Sequence, residues 1–272
     1  MMRALLLGLL LCAPSASGFA QNQDPNSRIA ERDLREFKRL LPGVYTNEEQ
    51  VYFQDNLGLP EAEHAPRVEL TMRRAGDQFL SVLSYEDGRR VEARHDFRVE
   101  DGTIRAVAIR GGRADCERVM TREFDSFHGE GCDGPFTVAP DGMVLDWGGP
   151  PIHLLRARPF TCWAMPRKAD GTYELYTDLK THDQGGRVWL EATSDHPRVG
   201  FRLRNVRWPA GANRDSFVLY AHRGDEAEAE SYTWASPDAE RLGINTRWLQ
   251  VSCTAGGAAV TPSVNLETGS GE

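Results

Sequence analysis

Apolar and polar positions follow a helical period near the start of the chain and a strand period after it. In residues 27–41 the apolar positions fall on one helix face, Ser27 can cap the amino end, and Pro42-Gly43 ends the segment. From residue 68 onwards apolar and polar residues alternate, and Asp101-Gly102 predicts a hairpin turn. This pattern predicts one short helix followed by an antiparallel sheet.

The alternation resumes after Pro150-Pro151. Short strands predict a second β-rich region, with Gln184-Gly185-Gly186 as one of its turns and residues 236–240 as one helical turn. Many short strands separated by turns are typical of a barrel or a sandwich. We therefore expect an all-β chain in which residues 28–155 form one unit and residues 156–254 a second one. A flexible start at 21–27 and a disordered tail at 255–272 are expected around them.

Residues 1–20 resemble a secretory signal peptide. Arg3 precedes the apolar stretch 4–13, and mostly small residues follow up to Ala20. A lipoprotein signal would use Cys12, but Leu11 stands where a small residue is expected. The long apolar run lies in this segment, so the sequence predicts a periplasmic or secreted protein without a transmembrane segment after cleavage.

Composition excludes two classes of protein. The 272 residues are 26% charged and 40% hydrophobic, which is globular composition and excludes a wholly disordered chain. Lys and Arg total 32 against 40 for Asp and Glu, giving a net charge of −8. Because a dominant electrostatic grip on nucleic acid needs a basic excess, we expect no nucleic-acid partner.

Four cysteines remain after the signal segment: Cys116, Cys132, Cys162 and Cys253. An even number in an exported chain favours disulfides, and four cysteines allow three connectivities. Cys116 and Cys132 flank a predicted hairpin, and Cys162 and Cys253 bracket the second half, which favours these two pairs. A zinc site is the alternative, but the sequence has no C-x-x-C pair. We therefore expect disulfides and no metal.

Catalytic motifs are weak. The sequence has no G-x-S-x-G elbow and no H-E-x-x-H pair, and Gly129 to Gly134 matches G-x-G-x-x-G only in letters, since Pro135 follows where a helix should begin. The arginines of segment 89–110 are more informative. Arg90, Arg94 and Arg98 share one strand face, which is either a solvated outer surface or a source of one arginine for a ligand carboxylate at the barrel mouth.

Three segments of the first unit resemble the CpcT/CpeT chromophore lyase family. They are residues 41–50, the pair Tyr85-Glu86, and the hairpin from Asp115 to Cys132. The resemblance implies a calycin-like antiparallel β-barrel, similar to lipocalins, with a short N-terminal helix. Characterised members bind an open-chain tetrapyrrole and attach it to a cysteine of a phycobiliprotein subunit.

The resemblance also implies where a ligand would bind. The residues expected to line the ligand site are Tyr45, Gln50, Tyr85, Glu86 and Arg94. Arg94 is the closest counterpart of the family's P-Y-R-Q-R segment, which is absent here, and the second half matches nothing in the family's lyases. No cofactor is required, and a bilin-type ligand is expected.

Three hypotheses follow for the function. The first is an exported barrel that binds a small amphipathic molecule, either bilin-like or lipid-like, fused to a second, disulfide-clasped β-domain. The second is an active bilin lyase. The third is a non-catalytic module that binds an envelope protein, suggested by five tryptophans of the second half, namely Trp163, Trp189, Trp208, Trp234 and Trp248.

Overall fold

A computed structural model describes residues 24–131, 134–146, 148–208, 211–225 and 228–256. Its helices are α1 (Pro25–Leu40) and α2 (Glu48–Leu57), with a 3-10 turn at Glu61–Glu63. The first ten strands are β1 (Gly43–Thr46), β2 (Val68–Ala75), β3 (Gln78–Tyr85), β4 (Arg90–Glu100), β5 (Thr103–Arg110), β6 (Arg113–Glu123), β7 (Ser126–Gly131), β8 (Phe136–Ala139), β9 (Gly142–Leu145) and β10 (Ile152–Ala157). The last eight are β11 (Pro159–Pro166), β12 (Tyr176–His182), β13 (Gln184–Leu190), β14 (Val199–Val206), β15 (Ser216–Arg223), β16 (Ser231–Ala235), β17 (Arg241–Asn245) and β18 (Leu249–Ala255).

Strands β1 to β10 form a closed antiparallel barrel. Each strand pairs with its neighbours in the chain, and β1 closes the barrel by pairing with both β2 and β10. Because strand residues alternate between the two faces, Phe79, Phe97 and Phe127 lie buried inside, whereas Arg94 and Arg98 are exposed outside. The predicted β-barrel is therefore confirmed, with ten strands.

Helix α1 closes one end of the barrel. Phe37 is fully buried, and its ring centroid lies 5.0 Å from that of Phe97 and 5.2 Å from that of Phe127. Arg122 of β6 pairs with Asp33 of the helix at 2.8 Å, which ties α1 to the barrel rim. Aromatic packing and this ion pair hold the helix across the opening.

The start of α1 differs from the sequence prediction. Asp24 is the N-cap, accepting a hydrogen bond from the Asn26 N–H at 3.3 Å, and Pro25 begins the helix. Proline suits the first helical turn because its missing N–H has no partner there. The expected cap at Ser27 and the expected flexibility of residues 25–27 are therefore wrong.

Strands β11 to β18 form two four-stranded sheets around one core, which we call the sandwich. The sheet orders are β12-β11-β18-β17 and β13-β14-β15-β16. Phe160, Phe201 and Phe217 are among the buried residues of the shared core. Cys162 of β11 and Cys253 of β18 face each other with a Cα–Cα distance of 4.0 Å and form the predicted disulfide. Cys116 is also disulfide-bonded, and its expected partner Cys132 lies outside the described residues.

Several other boundaries differ from prediction. Helix α2 and strand β17 were not expected, and residues 236–240 form a turn instead of a helical turn. Gln184-Gly185-Gly186 lies inside β13, where it forms a bulge rather than a turn. Ala255 belongs to β18, so the expected disordered tail begins too early. The expected signal peptide, residues 21–23 and residues 257–272 lie outside the described residues.

A buried ion pair network joins the barrel to the sandwich. The Glu48 carboxylate of α2 contacts the guanidinium groups of Arg67 and Arg202, and only 10% of its side chain is exposed. Beside it, the Thr46 hydroxyl donates to the Gln184 carbonyl at 3.0 Å. These charged and polar contacts, together with the Phe53 and Trp208 rings whose centroids are 5.8 Å apart, hold the two units together. No helix among the described residues has the length and apolar character needed to cross a membrane.

Candidate functional site

The barrel contains an apolar cavity of about 110 Å³. Small side chains create it: Ala93 of β4 and Ala106 and Ala108 of β5 face inward where larger residues would fill the space. The remaining lining residues are Leu41, Leu70, Met72, Ser81, Leu83, Val91, His95, Phe97, Arg110, Arg118, Phe136, Met143 and Leu145. The cavity reaches the surface, since Val91 is 40% exposed.

Two arginines give the cavity its charge. Arg118 of β6 lies directly opposite Ala106, and its guanidinium carbon is 5.8 Å from the centre of the Phe136 ring. Arg110 ends β5 at the Gly111-Gly112 turn and forms an ion pair with Asp115. The described residues that line the cavity include no Asp or Glu, so this part of the lining is apolar and basic, with the Asp115 partner of Arg110 outside it.

A glycine makes room for one of these arginines. A Cβ built on Gly129 of β7 would lie 2.8 Å from the Met120 sulfur, 2.9 Å from the Phe136 ring and 3.3 Å from Arg118 Cδ. Any larger residue would push these side chains into the cavity. The glycine therefore helps to keep the cavity open.

His95 and Ser81 form the other polar pair of the lining. The Ser81 hydroxyl lies 2.8 Å from His95 Nε2. Burial, together with the nearby charges of Arg118 and Arg110, lowers the pKa of His95 to about 4. The imidazole is consequently neutral at pH 7, and the positive charge of the cavity comes from the arginines alone.

Tyr45 does not line the cavity, contrary to expectation. It is fully buried, and its hydroxyl donates to the carbonyl oxygens of Leu40 at 2.7 Å and Leu41 at 3.0 Å. Burial raises the pKa of Tyr45 to about 12, although the charge of Arg156, stacked 4.8 Å from the ring centre, lowers it. Tyr45 therefore supplies a hydrogen-bond donor to the carbonyl groups at the carboxyl end of α1, which is a structural role.

Gln50 and Arg94 also lie away from the cavity. The Gln50 amide bridges α2 to the barrel, donating to the Pro151 carbonyl at 2.7 Å and accepting from the His153 N–H at 2.9 Å. Arg94 has the outward parity of β4, so its side chain is on the solvent face. Arg94, expected to line the ligand site, therefore does not reach this cavity, whereas Arg110 of the same segment does.

Tyr85 and Glu86 lie at a different place, a cleft of about 460 Å³ between the barrel and the sandwich. Arg89 stacks 4.2 Å from the centre of the Tyr85 ring, and Glu86 is 3.5 Å from Arg67 Nε. Across the cleft, His182 Nε2 lies 3.3 Å from a Glu69 carboxylate oxygen. The lining mixes both signs of charge, so it favours neither anions nor cations.

The sequence contains a pattern that points to Arg118 and His95, two cavity residues that were not among the expected ligand-site residues. Cys116, Arg118 and Met120 stand two positions apart in a predicted strand, which places all three on one face of it. An arginine between a bonded cysteine and a methionine on the inner face is unusual, and this pattern could have identified Arg118. His95 likewise shares a strand face with Ala93 and Phe97, which stand two positions before and after it.

Comparison with protein-family models, curated proteins and solved structures found no match for this chain. Within the described ranges, no group of three or more His, Cys, Asp or Glu side chains is placed to hold a metal ion.

Proposed function

We propose that this protein is an exported barrel that binds a small amphipathic carboxylic acid, with the apolar tail inside the barrel and the carboxylate at Arg110 and Arg118. The observation that carries the proposal is the described lining of the cavity, in which apolar side chains stand beside two arginines without an Asp or Glu. Arginine suits such a head group because its planar fork donates two parallel hydrogen bonds to a carboxylate.

The size of the cavity favours a lipid-like ligand over a bilin. A cavity of about 110 Å³ is close to the roughly 150 Å³ that admits one benzene ring. Pockets that enclose larger ligands measure roughly 300–1,000 Å³. A single hydrocarbon chain therefore fits the barrel, whereas four pyrrole rings would require the strands or α1 to move.

Met72 and Met143 widen the range of ligand shapes that the cavity can hold. Both side chains line it, and methionine is unbranched with three rotatable bonds, so it adapts its shape to a neighbour. The charge on the arginines keeps the head of the ligand at the mouth while the methionines adjust around its tail. The proposed binding mode thus has a defined orientation.

Export is part of the same proposal. The disulfide between Cys162 and Cys253 supports an oxidising compartment, where such bonds persist. A calycin-like type and kinship with the CpcT/CpeT barrels also belong to this proposal, supported by the antiparallel barrel and the short motifs of the first unit. No observation favours bilin transfer over binding.

Calorimetric titration with octanoate at pH 7.5 tests the proposal. We expect one molecule bound per chain, binding weakened at least tenfold in Arg118→Gln, and binding abolished in Ala106→Phe, which fills the cavity opposite Arg118. The matched control is Arg94→Gln, which removes the same charge from the outer face of β4 and should bind as the unaltered protein does. Equal losses in Arg118→Gln and Arg94→Gln would refute the proposed site.

A further inference from the structure

The sandwich carries a cleft of about 670 Å³ that shares no residue with the barrel cavity. Four separate parts of the chain meet there. They are the segment 167–169 after β11, the loop 192–197 after β13, Arg223 at the end of β15 with Glu230 before β16, and Arg247-Trp248 before β18.

The cleft concentrates positive charge in an acidic protein. Arg167, Lys168, Arg223 and Arg247 line it, against the two carboxylates of Asp195 and Glu230. Lys168 pairs with Asp195 at 3.7 Å. No carboxylate of the described segments forms an ion pair with Arg167, Arg223 or Arg247. The cleft therefore has a surplus of cationic side chains, whereas the whole chain has 40 acidic and 32 basic residues.

Backbone hydrogen bonds hold the walls of the cleft together. The Arg167 N–H donates to the Trp248 carbonyl at 2.9 Å, which fixes the first wall beside the last. The Ala169 N–H donates to the Asp195 carbonyl at 2.8 Å, joining the first wall to the loop. Next to Arg223, the Gly224 N–H donates to the Arg198 carbonyl at 2.8 Å. The backbone beneath the exposed arginines is therefore ordered, and a ligand would lose little free energy in ordering it.

The buried side chain of His196 holds the loop 192–197 in place. The His196 side chain is fully buried, its Nδ1 lies 2.8 Å from the Pro197 carbonyl oxygen, and its Nε2 lies 3.1 Å from the Tyr176 hydroxyl. A carbonyl can only accept, so Nδ1 carries a proton and donates it to Pro197, while Nε2 also lies 3.7 Å from the Glu174 carboxylate. Thr193 completes the loop, since its hydroxyl oxygen accepts from the Asp195 and His196 N–H groups at 3.2 Å. His196 therefore positions the loop, and the side chains that would contact a ligand are the lysine and the arginines of the cleft.

We propose that this cleft binds a small polyanion, a molecule that carries two or more phosphate or carboxylate groups. The reason is the placement of the cations on separate walls, because a single anionic group cannot contact them all, whereas a molecule with several groups can bridge the walls. Arginine binds both phosphate and carboxylate through paired N–H donors. The half-buried indole of Trp248 forms an apolar wall between the charged ones.

Calorimetric titration of the oxidised protein at 150 mM NaCl and pH 7.5 tests the inference, with pyrophosphate and citrate as separate probes. We expect at least one probe to bind, and the arm that binds tighter assigns the anionic group. Loss of a charged hydrogen bond costs about tenfold in affinity. The double variant Arg223→Ala, Arg247→Ala should therefore bind at least 100-fold more weakly than the unaltered protein.

The control removes the same charge elsewhere. Arg90→Ala with Arg94→Ala changes two exposed arginines on the outer face of β4 and should leave the affinity for the polyanion unaltered. An equal loss in both double variants would show diffuse attraction of anions, and failure of both probes to bind would show that the cleft is not an anion site. Either result overturns the inference. Octanoate binding in the Arg223→Ala, Arg247→Ala variant tests the barrel separately.

Discussion

Glu48 is the residue whose replacement should most strongly loosen the barrel from the sandwich. Its carboxylate contacts Arg67 and Arg202, and the side chains are 10%, 27% and 16% exposed, respectively. Replacing it with glutamine leaves Arg202 largely buried without this counter-ion, and leaves Arg67 with the exposed carboxylate of Glu86, 3.5 Å from its Nε. Breaking a buried ion pair costs about 3–5 kcal/mol, and the residual exposure of Arg67 places the expected loss near the lower limit, about 3 kcal/mol.

Urea denaturation followed by tryptophan fluorescence measures this loss for Glu48→Gln. The matched control is Glu36→Gln on α1, because Glu36 pairs with Arg39 at 3.1 Å on an exposed surface. An exposed pair of this kind contributes about 0.3–0.5 kcal/mol. Combining Glu48→Gln with Arg202→Met in a double-mutant cycle should give a coupling energy of at least about 1 kcal/mol.

One result would refute this reasoning. If Glu48→Gln lost no more stability than Glu36→Gln, the network would be solvated and would not hold the two units together. The backbone at Gly185 confirms that the Glu48 side chain is tightly packed. A Cβ at this position would lie 2.6 Å from Glu48 Cγ, and its φ of +85° favours glycine. The carboxylate is therefore packed as well as paired.

Three further predictions concern the barrel and the disulfide. Because burial holds the pKa of His95 near 4 in the folded barrel and near 6.5 when unfolded, protonation favours unfolding. Stability should fall by about 3 kcal/mol between pH 6.5 and pH 4, and His95→Gln should flatten that dependence in urea titrations. Tyr45→Phe removes hydrogen bonds to two carbonyls and should cost about 1–2 kcal/mol by the same assay without changing octanoate affinity. An unchanged stability would contradict its structural role. Replacing Cys162 and Cys253 by alanine removes a cross-link with a sequence separation of 91, so calorimetry should show the sandwich about 4 kcal/mol less stable; a loss below 1 kcal/mol would contradict this.

Strand periodicity made much of the architecture predictable. The β4–β5 hairpin follows from alternation on both sides of Asp101-Gly102, and the disulfide pair Cys162 and Cys253 from their positions in the first and last strands of the sandwich. These features depend on local pattern, which a sequence displays directly. In contrast, α2 has few apolar positions on one face because it contacts the sandwich largely through charged and aromatic side chains, so its pattern is weak.

The barrel cavity was harder to predict, because a cavity depends on which side chains are too small to fill the interior. In the sequence, nothing distinguishes the cavity-lining alanines from other small strand residues; they are Ala93, Ala106 and Ala108. Their consequence emerges only when β4 and β5 pair, which sets Ala106 opposite Phe97 and Ala108 opposite His95 along the cavity. Tyr45 was misleading for the opposite reason, since a buried tyrosine with a satisfied hydroxyl and a ligand-binding tyrosine look alike in a sequence.

The measurement that tests the central claim most directly is the affinity of the protein for straight-chain carboxylates of increasing length, from butanoate to decanoate. Burial of each methylene contributes about 0.8 kcal/mol, or about fourfold in affinity. The proposed binding mode predicts this increment until the cavity is filled, followed by a plateau, and a biliverdin-type bilin should bind more weakly than octanoate. Affinity that does not depend on chain length, or the absence of binding by every member of the series, would contradict it.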